Sequence, residues 1–480
     1  IAYVASARMA MRPQSWALAG ALGTALGLVR MIHTWDFPTA VIMVSVGIVL
    51  GQLLAPGRWQ ERWWNAVGHL TLAAGILLVA FSPFTGHFET FGTGVVRAPE
   101  TTKPQHYFTH FGVFVALGLL FLAVRYHEEI ASRARPIRNP VLGIVGGPWE
   151  FLGLAVFTAG LTLLSGRFGL TVVVLSVVAE IFLLNLLWLD IRAPSPDIGR
   201  LLATAMFALA VGIAAGTDVV TLKDDLVRMN TVFKFLLQAW QLFALASAFA
   251  AWYVARYLWE ADGWRLHPLP GRRATAWGAT AAIVALLAGA SIFIFLGTPA
   301  REDARFASTP LTLNGLDYLP TASYRDDHGT TDTPTDDVTI HLGDDSPLIQ
   351  WLRDNVKGSP VVAEAVGPLY HWTGRITWTT GLPAVIGWDW HQIQQRGDYS
   401  SLVRARRMDT ERFFSDPDVP FADEYLREYN VSFVVVGTME QAYGTPQGLA
   451  KFAQLPALTE VFRSGPYAIY AVDQSKLPIQ

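Results

Sequence analysis

Apolar runs of near twenty residues, parted by short turns rich in Gly, Pro and charge, fill the first 297 residues of the chain. A helix of roughly 20 residues crosses the hydrocarbon layer of a bilayer. Nine such runs predict nine spans, at 15–29, 37–54, 64–81, 108–124, 149–164, 170–189, 201–215, 232–253 and 274–296. After them the pattern changes. Residues 298–346 are rich in Thr, Asp, Gly and Pro and read as an irregular connector. Residues 347–480 alternate helical and strand patterns: helix at 348–355, strand at 360–365, helix at 421–429, strands at 431–437 and 467–472. The predicted fold class is an α-helical polytopic membrane bundle (1–297) followed by a C-terminal extracytoplasmic α/β domain (347–480).

Composition sharpens this division. Only 16% of the 480 residues are charged and the mean hydropathy is +0.32, against about 25% charged residues in a soluble domain. The absence of Cys excludes a disulfide scaffold. Lys+Arg and Asp+Glu number 21 and 15 in residues 1–297, but 15 and 24 in residues 298–480. Neither part is a basic patch with a recognition module, so nucleic acid is excluded as a partner. With the N-terminus inside, the inner loops carry 14 basic residues and the outer loops 7. The positive-inside rule then places residues 298–480 outside the cytoplasmic membrane. Residues 1–11 begin without Met and do not complete a span, which predicts further N-terminal spans or partner membrane subunits.

The densest polar pattern opens the eighth span. Asp224, Arg228, Asn230, Thr231, Lys234, Gln238 and Gln241 share one side of a helix. A Lys within a span is costly unless it faces protein or water. Arg228 and Lys234 are therefore expected to clamp a lipid phosphate, with Asn230, Thr231 and Gln238 shaping the site. The opposing reading is a snorkelling Lys beside an Asp224–Arg228 helix pair. Asp36, in Trp35-Asp36-Phe37-Pro38, is either the N-cap of the second span or a catalytic base at the outer surface. His106 and His110 have i,i+4 spacing, with His87, Glu89 and Glu100 as the nearest partners for a metal. Glu180 lies within a span, as a functional acid or a helix bridge. Residues 370–397 concentrate Trp, His, Arg and Gln in turn-rich sequence. Trp372, Arg375, Trp388 and His391 are expected to contact a sugar or acceptor, the alternative being a loop seated on the membrane by its tryptophans. No metal or cofactor follows from these residues, although a divalent cation is compatible with them.

WDFPT at 35–39, RMNTVFKF at 228–235, and Trp372-x-Gly-Arg-Ile with Thr-Gly-Leu-Pro and Gly387-Trp-x-x-His391 together resemble the Chlor_Arch_YYY family of polytopic membrane proteins. That family is similar to the C-type (GT-C) glycosyltransferases, which use polyprenyl-phosphate-linked sugars. The resemblance implies a membrane glycosyltransferase with a polyprenyl-phosphate sugar donor lying in the bundle. It also implies a catalytic acid in a first outer loop that this sequence does not contain. Here Leu236 stands where the family carries an aromatic residue, and Asp389 is an additional acid. Two rival readings are a non-enzymatic membrane subunit with a docking domain, and a transporter with Glu180 and Lys234 as its coupling pair.

Overall fold

The computed structural model describes residues 1–88, 94–131, 158–167, 169–223, 225–259, 272–302, 309, 311–327 and 337–478. It divides into two compact units, Ile1–Phe295 and Leu296–Gln480.

The first unit is helical. Its elements are α1 (Ala2–Arg8), α2 (Arg12–Ile32), α3 (Phe37–Leu54), α4 (Trp59–Ala80), α5 (Pro104–Ala131), α6 (Thr171–Arg192), α7 (Ile198–Val219), α8 (Met229–Trp259) and α9 (Arg272–Ile292). Among the described residues, eight helices are long and apolar enough to cross a membrane. They coincide with eight of the nine expected spans. The other, at 149–164, lies mostly outside the described residues, of which 158–166 are helical. Pro13 and Pro38 sit in the first turns of α2 and α3, where the missing N–H costs nothing. Asp197 caps α7 by accepting from the Arg200 amide at 2.9 Å. Helices α5, α7 and α8 meet through Phe111, Phe121, Phe207 and Phe243, all buried. A short antiparallel ladder pairs β1 (Val95–Arg97) with β2 (Val220–Leu222). It ties the loop before α5 to the turn between α7 and α8.

The second unit has a four-stranded sheet in the order β5-β6-β8-β7, built from β5 (Val361–Ala363), β6 (Val431–Val436), β7 (Leu458–Ser464) and β8 (Tyr467–Val472). β5 is parallel to β6, and the other pairs are antiparallel. The run VSFVVV of β6 is β-branched and apolar and lies in the centre of the sheet, as such runs do when both faces are covered. Helix α10 (Ser346–Asn355) buries Leu348, Ile349 and Leu352 on one stripe against the sheet.

The expected connector needs correction. Within 298–346, β3 (Ser323–Asp326) and β4 (Val338–His341) form an antiparallel hairpin. Leu319, Ile340 and Leu342 are buried in the core of the second unit. The Thr/Asp-rich composition hid a small number of well-spaced apolar anchors.

Candidate functional site

Helix α8 begins at a strained turn. Val227 has φ +58°, a left-handed conformation that a β-branched residue rarely adopts. The turn delivers Arg228 inward, where it is 7% exposed. Its Nη1 donates to Asp218 Oδ1 at 2.7 Å and to the Thr217 carbonyl at 3.1 Å, and its Nη2 to Thr102 Oγ1 at 3.1 Å. Asp218, also buried, accepts from the Thr102 amide and hydroxyl at 3.0 and 2.6 Å. Among the described residues, Arg228 Nε has no hydrogen-bond partner; a carboxylate oxygen of exposed Glu100 stands 3.7 Å away.

Arg228 lines a groove of about 830 Å³ between α5 and α8. Glu100, Thr101, Thr102, Lys103, His106 and His110 form the polar part of its wall. Phe111, Val232, Phe233, Leu236, Leu237 and Trp240 form the apolar part. A polar end with cations and a long apolar wall is the shape of an amphiphile with an anionic head. The ladder of β1 and β2 holds residues 100–103 against the start of α8.

The other polar residues of α8 face elsewhere. Asp225 accepts from the amide and side chain of both Asn230 and Thr231, at 2.7–3.1 Å. Burial would raise the Asp225 carboxyl, but these four hydrogen bonds outweigh it and hold it below its ordinary range. Asn230 and Thr231 thus fix the helix start through Asp225. Lys234 lies over the ring of Trp35, 5.0 Å from its centroid. Gln238 Nε2 donates to Asp36 Oδ1 at 2.7 Å and to the Trp35 carbonyl at 3.3 Å. Arg228 and Lys234, expected to converge on one anion, thus each meet a different part of the chain: Asp218 and Thr102 for the first, Trp35 for the second. Asp224 lies outside the described residues.

Asp36 occupies the N-cap position of α3, yet makes no capping hydrogen bond. Its carboxylate turns to Gln238 and to His33 Nδ1, at 3.3 Å. Gln238 is ten residues beyond Arg228, about 15 Å along the helix axis. Asp36 therefore contacts α8 well away from the groove's guanidinium. Glu180 is half-buried and faces the backbone of Gly212 on α7, the arrangement of a helix bridge.

The model of the family described as Uncharacterized membrane protein (DUF2298) matches residues 1–243. The chain belongs to this family. The DUF2298 match takes in Asp36, Asp218, Arg228 and the whole groove wall, and ends on α8 before the second unit begins. No curated protein and no solved structure matches the chain.

Beyond the DUF2298 region, the four residues expected to read a sugar divide into two pairs. Arg375 is fully buried. Its guanidinium binds Asp345 at 2.7 and 3.1 Å and Glu440 at 3.0 and 2.7 Å, with Glu364 at 3.6 Å. Trp372, 8% exposed, donates its indole N–H to Asp345 at 3.0 Å. These polar atoms are consumed inside the fold, so Arg375 and Trp372 join strands to helices rather than face a ligand. Burial drives the Asp345 carboxyl up, but Arg375 and Thr438 hold it below its ordinary value. Burial pushes Glu364 above its own, against the pull of Arg375. Of the carboxyls around Arg375, Glu364 is thus the one biased toward its neutral form. A Cβ on Gly437 would strike both Arg375 and Asp345, so this position has room for Gly alone.

Trp388 and His391, both half-buried, meet the exposed Tyr370. His391 Nε2 and the Tyr370 hydroxyl are 2.9 Å apart, and the Tyr370 and Trp388 rings meet edge-on at 5.2 Å. Tyr370 is 70% exposed and has φ +64°. The extra acid Asp389 pairs with Arg407 at 2.9 Å.

Sequence reasoning singled out Arg228 but missed its partners. Asp218, at the end of an apolar span, was the signal available. Lys103 joins His106 and His110 on one turn-and-helix face of the groove, where the i,i+4 spacing of the two histidines had suggested a metal. Among the described residues, His106 and His110 gather no third metal-ligating side chain.

Proposed function

We propose that the groove between α5 and α8 binds the phosphate and first isoprene units of a polyprenyl-phosphate-linked sugar, and that the protein is a membrane glycosyltransferase of the C-type class. The observation that carries this reading is the Arg228 Nε–H: a buried guanidinium proton donor without a hydrogen-bond partner among the described residues, on the wall of a groove with one polar end. The sequence resemblance to the Chlor_Arch_YYY family points the same way.

In this reading the phosphate replaces Glu100 beside Arg228, with Lys103 and the two histidines around it. The isoprenoid lies along Phe233, Leu237 and Trp240. Transfer requires a base to take the acceptor proton and donors to receive the charge of the departing phosphate. Arg228 and Lys103 serve the second task. Glu100, displaced from Arg228 and standing at the polar end, serves the first in place of Asp36. In this reading the groove opens at the extracytoplasmic face; Tyr370, Trp388 and His391 of the second unit are proposed separately as a sugar- or acceptor-binding surface.

The test is binding and turnover of a short-chain polyprenyl-phosphate sugar by the full chain in nanodiscs. Lys103→Met should weaken binding by about tenfold or more, the loss of a charge-assisted hydrogen bond of roughly 1.5–3 kcal/mol. Glu100→Gln should retain binding and lose transfer. Lipid phosphate affinity unchanged in Lys103→Met, or absent in the parent chain, sinks the reading. The second result favours a non-enzymatic membrane subunit.

A further inference from the structure

Outside the groove, a second arrangement of ionisable side chains lies in the second unit, where neither the sequence nor the family match assigns anything. Asp326 ends β3 and is fully buried. Its two oxygens are used differently. Oδ1 accepts from the Tyr443 hydroxyl at 2.7 Å, and Oδ2 lies 3.2 Å from His371 Nδ1. The imidazole is further held by the edge of the Tyr324 ring, with centroids 5.8 Å apart. Its other nitrogen, Nε2, faces Asp327 Oδ1 across 3.5 Å. Asp327 is partly exposed, while the His371 side chain is 15% exposed.

We propose that His371 and Asp327 hold a divalent transition-metal ion, with Asp326 as the carboxylate that orients the histidine. Three features of the geometry carry this. First, metal-bound histidines almost always donate their second ring N–H to a carboxylate or carbonyl, which fixes the tautomer and raises the basicity of the bound nitrogen. Asp326 is placed to accept from Nδ1, leaving Nε2 with its lone pair directed outward. Second, zinc–nitrogen and zinc–oxygen bonds of about 2.0–2.2 Å in a tetrahedron put adjacent ligand atoms roughly 3.3–3.5 Å apart. The 3.5 Å between Nε2 and Asp327 Oδ1 is such an edge. Third, the orienting carboxylate is itself bound, since the Tyr443 hydroxyl donates to its other oxygen. The Tyr443 ring rests against Gly367, where an added Cβ would come within 3.1 Å of Cζ. Exposure falls from the Asp327 side chain through His371 to the orienting carboxylate of Asp326.

Mixed imidazole and carboxylate donors suit Zn²⁺ or Mn²⁺ better than Ca²⁺, which takes an all-oxygen shell. The two protein ligands found among the described residues leave positions at the exposed side for oxygen donors of a bound molecule. Residue 370, next to His371, is the exposed Tyr that meets Trp388 and His391. A cation for hydroxyl oxygens next to an aromatic surface is a combination suited to a polyhydroxylated ligand.

The test uses tag-free full-length protein in detergent, stripped with a chelator and titrated with Zn²⁺ by calorimetry and with Co²⁺ by visible absorbance. One saturable ion per chain is expected, with the ligand-field bands of a four- or five-coordinate Co²⁺. Asp327→Asn and His371→Gln should each lower affinity by at least tenfold, and Asp326→Asn by about 10- to 100-fold. Asp327→Asn changes a partly exposed carboxylate, so it serves as the variant whose folding is least at risk, with amide exchange of β6 as the control. Absence of saturable binding, or Zn²⁺ affinity unaltered in a folded Asp327→Asn protein, overturns the assignment. In that case His371 is an imidazole clasped by two carboxylates for structural reasons only.

Discussion

Arg228 and Asp218 stand 2.7 Å apart, each nine-tenths or more buried, with the cation contributed by the first turn of α8 and the anion by the last turn of α7. Removing one partner leaves the other charged and buried, at a cost of about 3–5 kcal/mol. Arg228→Gln is therefore expected to lower the melting temperature of the detergent-solubilised protein strongly, and Asp218→Asn to do the same. The double variant Arg228→Met with Asp218→Leu should recover most of the loss. If both single variants melt as the parent does, the pair has no structural weight.

The contact of Gln238 with Asp36 ties α3 to α8. A charge-assisted hydrogen bond of this kind contributes about 1.5–3 kcal/mol, reduced here because the Asp36 side chain is 48% exposed. Gln238→Leu should destabilise the membrane unit modestly. Asp36→Asn should keep lipid-phosphate affinity within about twofold, because Asp36 meets α8 far from Arg228. A large loss of transfer with intact folding in Asp36→Asn would return the catalytic role to Asp36 and take it from Glu100.

The carboxyls around Arg375 give opposite pH dependences. Asp345 is held below its ordinary value of 3.8. It therefore contributes stability that is complete above that value and is lost as pH falls through its folded-state value. Glu364 is raised above 4.5, so ionising it in the fold costs stability as pH rises from 4.5. The stability difference between Glu364→Gln and the parent should thus shift in favour of the variant from pH 4.5 toward neutrality. Amide exchange across β6 reports it. A difference independent of pH would mean that Glu364 titrates alike in folded and unfolded chains. Arg375→Met, which strands Asp345 and Glu440, should abolish protection of the same strand.

A topology reporter fused after Gln480 should be active only on the outer side of the membrane. Activity in the cytoplasm would reverse the orientation and with it the face at which the groove opens.

The bundle was legible because lipid-crossing helices are written in long apolar runs. The span at 37–54 matches its helix end for end, and those at 201–215 and 232–253 needed only extension at their ends. In the second unit, 348–355, 431–437 and 467–472 carried clear periodicity and emerged as α10, β6 and β8. The hairpin of β3 and β4 was not legible, since Ile340 and Leu342 are its sparse anchors in a polar segment. At the site, Arg228 was found by its helical face, but helical position alone does not say which neighbour answers a side chain. Asp218, Asp225 and Asp36 took up Arg228, Thr231 and Gln238 in turn. Arg375 and Trp372 misled for a related reason: a residue type favoured in ligand contacts is also the type that builds a buried charge cluster.

Those three acids have a mechanical consequence. A helix in lipid feels almost no hydrophobic preference for how it is turned about its own axis, because tails and side chains are equally apolar. Helix α8 receives Asp225 at its first turn, Asp218 at Arg228 and Asp36 at Gln238, from three separate stretches of chain and in different directions. Together they lock its azimuth. Rotating the helix by a single residue would break all three ties at once, so the wall presented by Phe233, Leu237 and Trp240 is indexed, like a key held in one orientation by notches on different sides.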